Sequence, residues 1–115
     1  MADHDNDEFL TELPEIPEDE FVIFGTVHAI PEHADALEEV YAETTRLAQF
    51  EPGSIYYCIC RDEKDRNMFH FFERYAGRQA FDDHNSQAII VKLMADKWFK
   101  GVKAKFLRAI PPTKV

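Results

Sequence analysis

The sequence has few cysteines and glycines and no long apolar run. Only two of its 115 residues are cysteine and four are glycine. The glycines form no GxGxxG or phosphate-loop motif, which gives no support to a bound nucleotide cofactor. No apolar run approaches the roughly 20 residues of a membrane span, and the first residues lack the basic and apolar parts of a secretory signal. We therefore expect a protein that neither spans a membrane nor is secreted.

Basic residues are absent from the first twenty positions. These positions hold nine of the 22 acidic residues, so residues 21–115 carry 13 acids and all 13 Lys and Arg residues. Nucleic-acid binding needs a basic stripe, and a neutral body offers none. The acidity predicts a mobile N-terminal arm over 1–20. The alternative is a strap that docks Phe9, Leu10 and Leu13 on a partner subunit.

The cysteines and histidines show no spacing typical of a metal site or a redox motif. Cys58 and Cys60 lie two apart in a predicted strand, where a disulfide has poor geometry. We expect both to remain thiols in a cytoplasmic protein. Of the histidines, His28 and His33 lie five apart across a proline turn, which is not a ligand pattern. The sequence therefore predicts no metal.

Hydrophobic periodicity predicts four strands and two helices, the second helix being split. The strands are predicted over 21–30, 54–61, 68–75 and 102–110, and the helices over 32–49, 78–84 and 87–99. This order is that of the α+β ferredoxin-like β-α-β-β-α-β domain, with a four-stranded antiparallel sheet. The domain is predicted over 21–110, and residues 111–115 form a C-terminal tail.

The second predicted strand, SIYYCICR, is apolar on both faces. In this fold the helices cover only one face of the sheet, so the other face should alternate to polar residues. Because both faces are mainly apolar, something must cover the second one. The simplest cover is a second copy of the same sheet, and the sequence therefore predicts a homodimer formed through the open sheet face.

A series of motifs begins just before the second strand and continues beyond the third. It comprises Glu51-Pro52-Gly53, Tyr57, Arg61-Asp62, Phe69, Glu73-Arg74-Tyr75, Ala80, His84 and Ser86. In this order and spacing, residues 21–110 resemble the antibiotic biosynthesis monooxygenase family. The resemblance implies a dimeric α/β barrel. It also implies a small monooxygenase of secondary metabolism that oxidises an aromatic, quinol or anthrone-like molecule without flavin, metal or haem.

Two side chains are candidates for proton transfer. His84 follows the inward-facing Phe81 by one turn, and its imidazole is suited to take a phenol or anthrone proton. The alternative is a structural histidine that bonds a backbone carbonyl or Glu73. Glu73 lies among aromatic residues, where burial would fit it for base work. Its alternative is an ion pair with Arg61 or Arg74.

Aromatic side chains are unusually frequent, with ten Phe in the chain. A set of them is predicted to line an apolar pocket that stacks a small aromatic molecule. This set is Tyr57, Phe71, Tyr75, Phe81 and Trp98. The alternative for each residue is ordinary core packing.

Two other functions remain open at this point, whereas RNA binding is not supported. The same fold order serves RNA-recognition modules, but the third strand lacks their glycine and basic residues. A non-redox acid–base catalyst, such as an isomerase, cyclase or decarboxylase, would use the same His84 and Glu73. A non-catalytic ligand-binding dimer would need neither residue for its function.

Overall fold

Antiparallel strands and α-helices account for most of the computed structural model, which describes residues 9–12 and 14–114. The strands are β1 (Phe21–Ala29), β2 (Ser54–Arg61), β3 (Met68–Tyr75) and β4 (Phe99–Leu107), and the helices are α1 (Ala34–Ala48), α2 (Arg78–Asn85) and α3 (Ala88–Asp96). A 3-10 turn (Pro31–His33) leads into α1. The strand order is β2-β3-β1-β4, and neighbouring strands are antiparallel. The predicted ferredoxin-like fold is confirmed.

Local sequence explains where β1 ends and α1 begins. The β-branched and aromatic run of β1 stops before Pro31, which has no amide hydrogen to donate to a neighbouring strand. The same proline suits the first turn of a helical segment. At helical spacing, α1 buries Ala34, Leu37, Thr44 and Ala48 against the sheet. None of the described helices is long and apolar enough to span a membrane.

The predicted boundary between the last helix and the last strand is wrong. The helix predicted over 87–99 ends at Asp96, and Lys97 takes a left-handed conformation with φ of 52°. The carbonyl of Trp98 accepts a hydrogen bond from the Ile30 amide at 2.8 Å, and Phe99 pairs with Ala29. Trp98 and Phe99 also fit the apolar stripe of α3, but their pairing with β1 places them after the end of the helix. In turn, β4 starts at Phe99 and ends at Leu107, where the sequence predicted 102–110.

The hydrophobic core lies between one face of the sheet and the helices. Its largest fully buried side chains are Tyr75, Phe21, Phe69 and Leu37. Phe21 makes edge-on ring contacts with Phe81 of α2 at 5.6 Å. Aromatic side chains thus connect the first residue of β1 to the helix layer.

The opposite face of the sheet is the open face, with no helix packed on it in the described chain. On this face Phe24 of β1 stacks on Phe72 of β3, with ring centroids 5.8 Å apart. Phe72 remains 41% exposed and Tyr56 55% exposed. Both Cys58 and Cys60 are free thiols on β2. The open face therefore carries accessible aromatic surface in its centre, as the mixed pattern of β2 indicated.

The described part of the predicted arm, residues 9–12 and 14–20, contacts the domain. The Leu10 amide donates to the Val102 carbonyl of β4 at 2.8 Å, Phe9 packs edge-on against His28 with centroids 5.0 Å apart, and Ile16 is buried. Residues 1–8 and Leu13 lie outside the described residues, so the mobility of the arm and a strap to a partner subunit stay predictions.

Three acidic residues at the end of this segment each pair with an arginine of the domain. Glu18 binds Arg78 at 2.7 Å and Asp19 binds Arg108 at 2.7 Å. Glu20 pairs with Arg74 of β3. The acidic residues nearest the domain are therefore bound to its surface through charge.

A methyl group at Gly25 should destabilise the fold. An ideal Cβ at this position of β1 would lie 1.8 Å from the backbone oxygen of Lys103 in β4, so Gly25→Ala must push these strands apart. We expect a loss of about 3 kcal/mol in the free energy of unfolding, measured by urea denaturation. Thr26→Ala is the control, because Thr26 is half-buried and lies on the open face of the same strand. Equal stability of the two variants would contradict this account.

Candidate active site

A cavity of about 160 Å³ lies between the core face of the sheet and the helices. We call it the inner cavity. Its wall is mainly apolar, and all four strands and all three helices contribute to it. The polar side chains on the wall are Tyr41, Tyr57, Glu73, His84 and Asn85. An apolar pocket with a few converging polar groups is the usual form of a small-molecule site.

Glu73 places a carboxyl group on the wall of the inner cavity. It pairs with Tyr57 of β2 and Ile23 of β1 in the sheet register. The hydroxyl of Tyr75, two residues along β3, donates to Glu73 Oε1 at 2.5 Å. Burial raises the pKa of the Glu73 carboxyl above its usual value, while the Tyr75 hydrogen bond and the nearby His84 partly oppose the increase. A buried carboxyl of this kind is suited to proton transfer.

The predicted alternative for Glu73, an ion pair with Arg61 or Arg74, is wrong. The Arg61 guanidinium binds Asp35 and Glu38 of α1. Arg74 follows Glu73 on β3, so its side chain points to the opposite face of the sheet, where it pairs with Glu20. The carboxylate partners of both arginines therefore lie away from the inner cavity.

His84 of α2 is buried beside the inner cavity and is held by a second carboxylate. Its ring nitrogen Nδ1 lies 2.8 Å from Glu51 Oε1. The same carboxylate accepts hydrogen bonds from the Ser54 hydroxyl at 2.7 Å and from the Gln87 amide at 2.5 Å. The partner of His84 is thus Glu51, whereas the structural alternative predicted a backbone carbonyl or Glu73.

Glu51 is ionised in this environment. Burial alone would raise the pKa of its carboxyl, but the hydrogen bonds from Ser54, His84 and Gln87 outweigh burial and lower the pKa below its usual value. An ionised carboxylate can only accept hydrogen bonds, so we assign the imidazole proton to Nδ1. In the neutral ring, Nε2 is then the nitrogen with a free lone pair.

His84 separates the inner cavity from a larger groove on the outside of the domain. This outer groove has a volume of about 620 Å³ and is lined by His84 together with Glu51, Gly53, Gln79 and Gln87. Only His84 lines both spaces among their described lining residues. Since Glu51 lines the outer groove, the Nδ1 edge of the ring, which contacts Glu51, faces that groove.

Tyr57 also lines the inner cavity, beside Glu73 and His84. Its ring lies 5.0 Å from the His84 ring, centroid to centroid. Its hydroxyl is 2.8 Å from Thr44 Oγ1, and Thr44 in turn donates to the Tyr41 carbonyl at 3.0 Å. Burial, and next the charge of Glu73, raises the pKa of the Tyr57 phenol above its usual value. Tyr57 therefore stays protonated and acts as a hydrogen-bond donor.

The structure brings most of the predicted site residues together. His84, Glu73, Tyr57, Phe71 and Phe81 all line the inner cavity. Their placement around one cavity follows from the strand register and from the position of α2 over the sheet. Whether each residue acts in catalysis or binding stays a prediction.

Two other predicted binding residues lie elsewhere. Tyr75 is fully buried beside the inner cavity, with its ring 5.6 Å from the His84 ring. Trp98 follows α3 and stacks on His33, with ring centroids 5.4 Å apart. Its separation from the inner cavity has the same cause as the early start of β4, because Trp98 belongs to the link between α3 and β4 and not to the apolar stripe of α3.

Glu51 is the main functional candidate to which the sequence assigned no role, although it begins the series of family motifs. It lies 33 residues before its partner His84, and no periodic pattern connects the two. The available signal was its position directly before the Pro52-Gly53 turn, where a side chain at a turn can reach a neighbouring element. Within residues 9–12 and 14–114, no group of three or more His, Cys, Asp or Glu side chains could hold a metal ion.

These features define a small ferredoxin-like domain with a ligand-sized cavity between sheet and helices. A sequence profile of the antibiotic biosynthesis monooxygenase family matches residues 20–95, which is more than half of the chain. The chain belongs to this family, and the resemblance seen in the sequence is confirmed.

Proteins of known structure that are similar to this chain share its fold. The protein PA3566 of Pseudomonas aeruginosa is 21% identical, with a TM-score of 0.73 over 82% of this chain and 97% of that one. An antibiotic biosynthesis monooxygenase of known structure is 22% identical, with a TM-score of 0.70 over 79% of this chain and 99% of that one. An uncharacterized protein of Synechocystis sp. is 34% identical over 70 residues, which are 58% of this chain and 46% of that protein. The chain thus matches less than half of that relative's length.

Removing the charge of Glu73 should change how stability depends on pH. Because its pKa is raised on folding, the folded wild type binds the proton more tightly and loses stability as pH rises from about 4.5 to the higher folded pKa. Glu73→Gln does not titrate, so it should gain stability relative to wild type across that window. Urea denaturation at intervals from pH 4 to pH 8 measures the difference.

The matched control for this measurement is Glu63→Gln, in the exposed loop between β2 and β3. Its stability should follow wild type at every pH. A Glu73→Gln variant whose difference from wild type is constant over the whole range would contradict the raised pKa of Glu73.

Proposed function

We propose that this chain is a cofactor-independent monooxygenase of secondary metabolism that oxidises a small aromatic molecule of the quinol or anthrone type in the inner cavity. The observation that carries the proposal is the pair of proton-transfer groups, His84 and Glu73, on the wall of one apolar cavity. Family membership supports the same class of chemistry. We propose a cytoplasmic location as part of the same function.

The size of the inner cavity favours a substrate with one aromatic ring. An apolar protein cavity of about 150 Å³ is known to accept benzene, and the inner cavity has about 160 Å³. A hydroquinone fits such a volume. A tricyclic anthrone would need the cavity to widen, so we place it second.

The chemistry needs dioxygen but no added reductant. A base on the cavity wall removes a phenolic proton, and the electron pair stays on the substrate anion. The anion reduces dioxygen, one oxygen atom forms a bond to the ring and the other leaves as water. For a hydroquinone the balance is hydroquinone plus O₂ giving hydroxyquinone plus water, with all four electrons supplied by the substrate.

Oxygen uptake with a substrate panel tests this function. We expect uptake with single-ring hydroquinones, weaker uptake with anthrones, and a loss of at least about 100-fold in His84→Ala, because general-base catalysis contributes that much or more. His33→Ala is the control, since His33 stacks on Trp98 outside the inner cavity. Absence of uptake over the whole panel, or uptake unchanged in His84→Ala, would overturn the proposal.

The second candidate is a non-redox acid–base catalyst, such as an isomerase, cyclase or decarboxylase. It is favoured by the same observation, since two proton-transfer groups that line one cavity need no oxygen to move a proton. Turnover of a substrate without oxygen consumption would select it. A non-catalytic ligand carrier would instead retain ligand binding in His84→Ala and show no turnover.

We also propose that the protein is a homodimer formed through the open sheet face. The exposed aromatic side chains of this face, Phe72 on the inner strand β3 and Tyr56 on the edge strand β2, support the pairing. Exposed aromatic patches mark interaction sites. The dimer should appear at twice the 13.4 kDa chain mass in light scattering. Phe72→Glu should shift it to monomer, whereas Phe50→Glu, which changes a 74% exposed side chain at the outer groove, should not. A wild-type monomer would refute the pairing.

A further inference from the structure

We infer that Glu51 is a positioning residue for His84: it holds the imidazole with its proton on Nδ1 and so presents Nε2 to the inner cavity as the base that takes the substrate proton. This inference rests on the proposed function for the reaction itself. The geometry of the pair, however, can be measured without any substrate.

Both oxygens of the Glu51 carboxylate are held in place by hydrogen bonds. Ser54 and His84 bind Oε1, while Gln87 binds Oε2. The carboxylate therefore cannot rotate without losing hydrogen bonds to three side chains. Two of these side chains, His84 and Gln87, come from α2 and from the residue before α3, so the carboxylate joins the β2 side of the domain to the helix layer.

The turn that carries Glu51 is pressed against α2. An ideal Cβ at Gly53 would lie 2.3 Å from the Cβ of Ala80, so this approach requires glycine. The Gly53 carbonyl accepts a hydrogen bond from the Ala76 amide at 2.9 Å. This contact fixes the distance between Glu51 and His84 independently of their own hydrogen bond.

Charge assigns different tasks to the two carboxyl groups beside His84. When Nε2 takes a proton from the substrate, the substrate keeps the electron pair and His84 becomes an imidazolium. The ionised Glu51 lies against Nδ1 and stabilises that positive charge. Glu73 accepts the Tyr75 hydroxyl bond inside the cavity and stays the second proton-transfer group, while His84 takes the first proton from the substrate.

Nitrogen NMR of the histidine rings tests the positioning role. In ¹⁵N-labelled wild type at a pH where His84 is neutral, we expect the Nδ1–H form. Glu51→Ala should lose this preference. In Glu51→Gln the amide oxygen can still accept from Nδ1 while Ser54 also binds it, so the Nδ1–H form should persist without the negative charge.

The control variant is Gln79→Ala. Gln79 also lines the outer groove, but its amide binds Asp83 at 2.8 Å and not His84. Its histidine spectrum should match wild type. An Nε2–H form in wild type, or an Nδ1–H form that persists in a folded Glu51→Ala, would overturn the inference.

Kinetics with an accepted substrate separate orientation from charge. We expect kcat to fall about 10- to 100-fold in Glu51→Ala with KM nearly unchanged, and Glu51→Gln to recover part of that loss. Equal kcat in wild type and Glu51→Ala would overturn the positioning role in catalysis. If no substrate consumes oxygen while the NMR result is as expected, the monooxygenase proposal fails and the positioning of His84 by Glu51 stands.

Discussion

The register of β3 against its two neighbours is the constraint on which the rest of the structure depends. It sets Glu73 opposite Tyr57 on one side and Ile23 on the other, and so gathers these side chains on the core face. A slip of one residue would exchange the two faces of the strand. Glu73 would then lie on the open face and Phe72 in the core. The inner cavity and the aromatic surface of the open face are therefore two results of a single pairing.

The inner cavity and the outer groove meet at His84, and its two carboxyl neighbours differ in their surroundings. Glu51 collects three hydrogen bonds and is ionised, whereas Glu73 has one hydrogen bond and a raised pKa. Opposite shifts of nearby titratable groups are a common arrangement where one group must stay charged and another must exchange a proton. In this domain the difference arises from position: Glu51 lies at a turn beside donors, and Glu73 in the middle of an apolar wall.

The strands β2 and β3 were predictable to the residue because a charged turn and Gly77 mark their ends. The α3–β4 boundary was not, since Trp98 and Phe99 continue the apolar spacing of α3, and only their pairing with β1 shows that the helix has already ended. For the site, two local patterns were enough to group Glu73, Tyr57 and His84. Alternation along β2 and β3 puts Tyr57 and Glu73 on the core face, and His84 follows the inward-facing Phe81 by one helical turn. The contact of His84 with Glu51 depends on how a turn packs on α2, which no local pattern expresses.

The pairing of Glu18, Asp19 and Glu20 with Arg78, Arg108 and Arg74 has an effect beyond attachment. Exposed ion pairs of this kind contribute little to stability, roughly 0–1 kcal/mol each. Their main effect is on the electric field of the surface. Without this segment, three guanidinium groups from different parts of the fold would lose their carboxylate partners. The segment thus acts as an internal counterion to these three arginines.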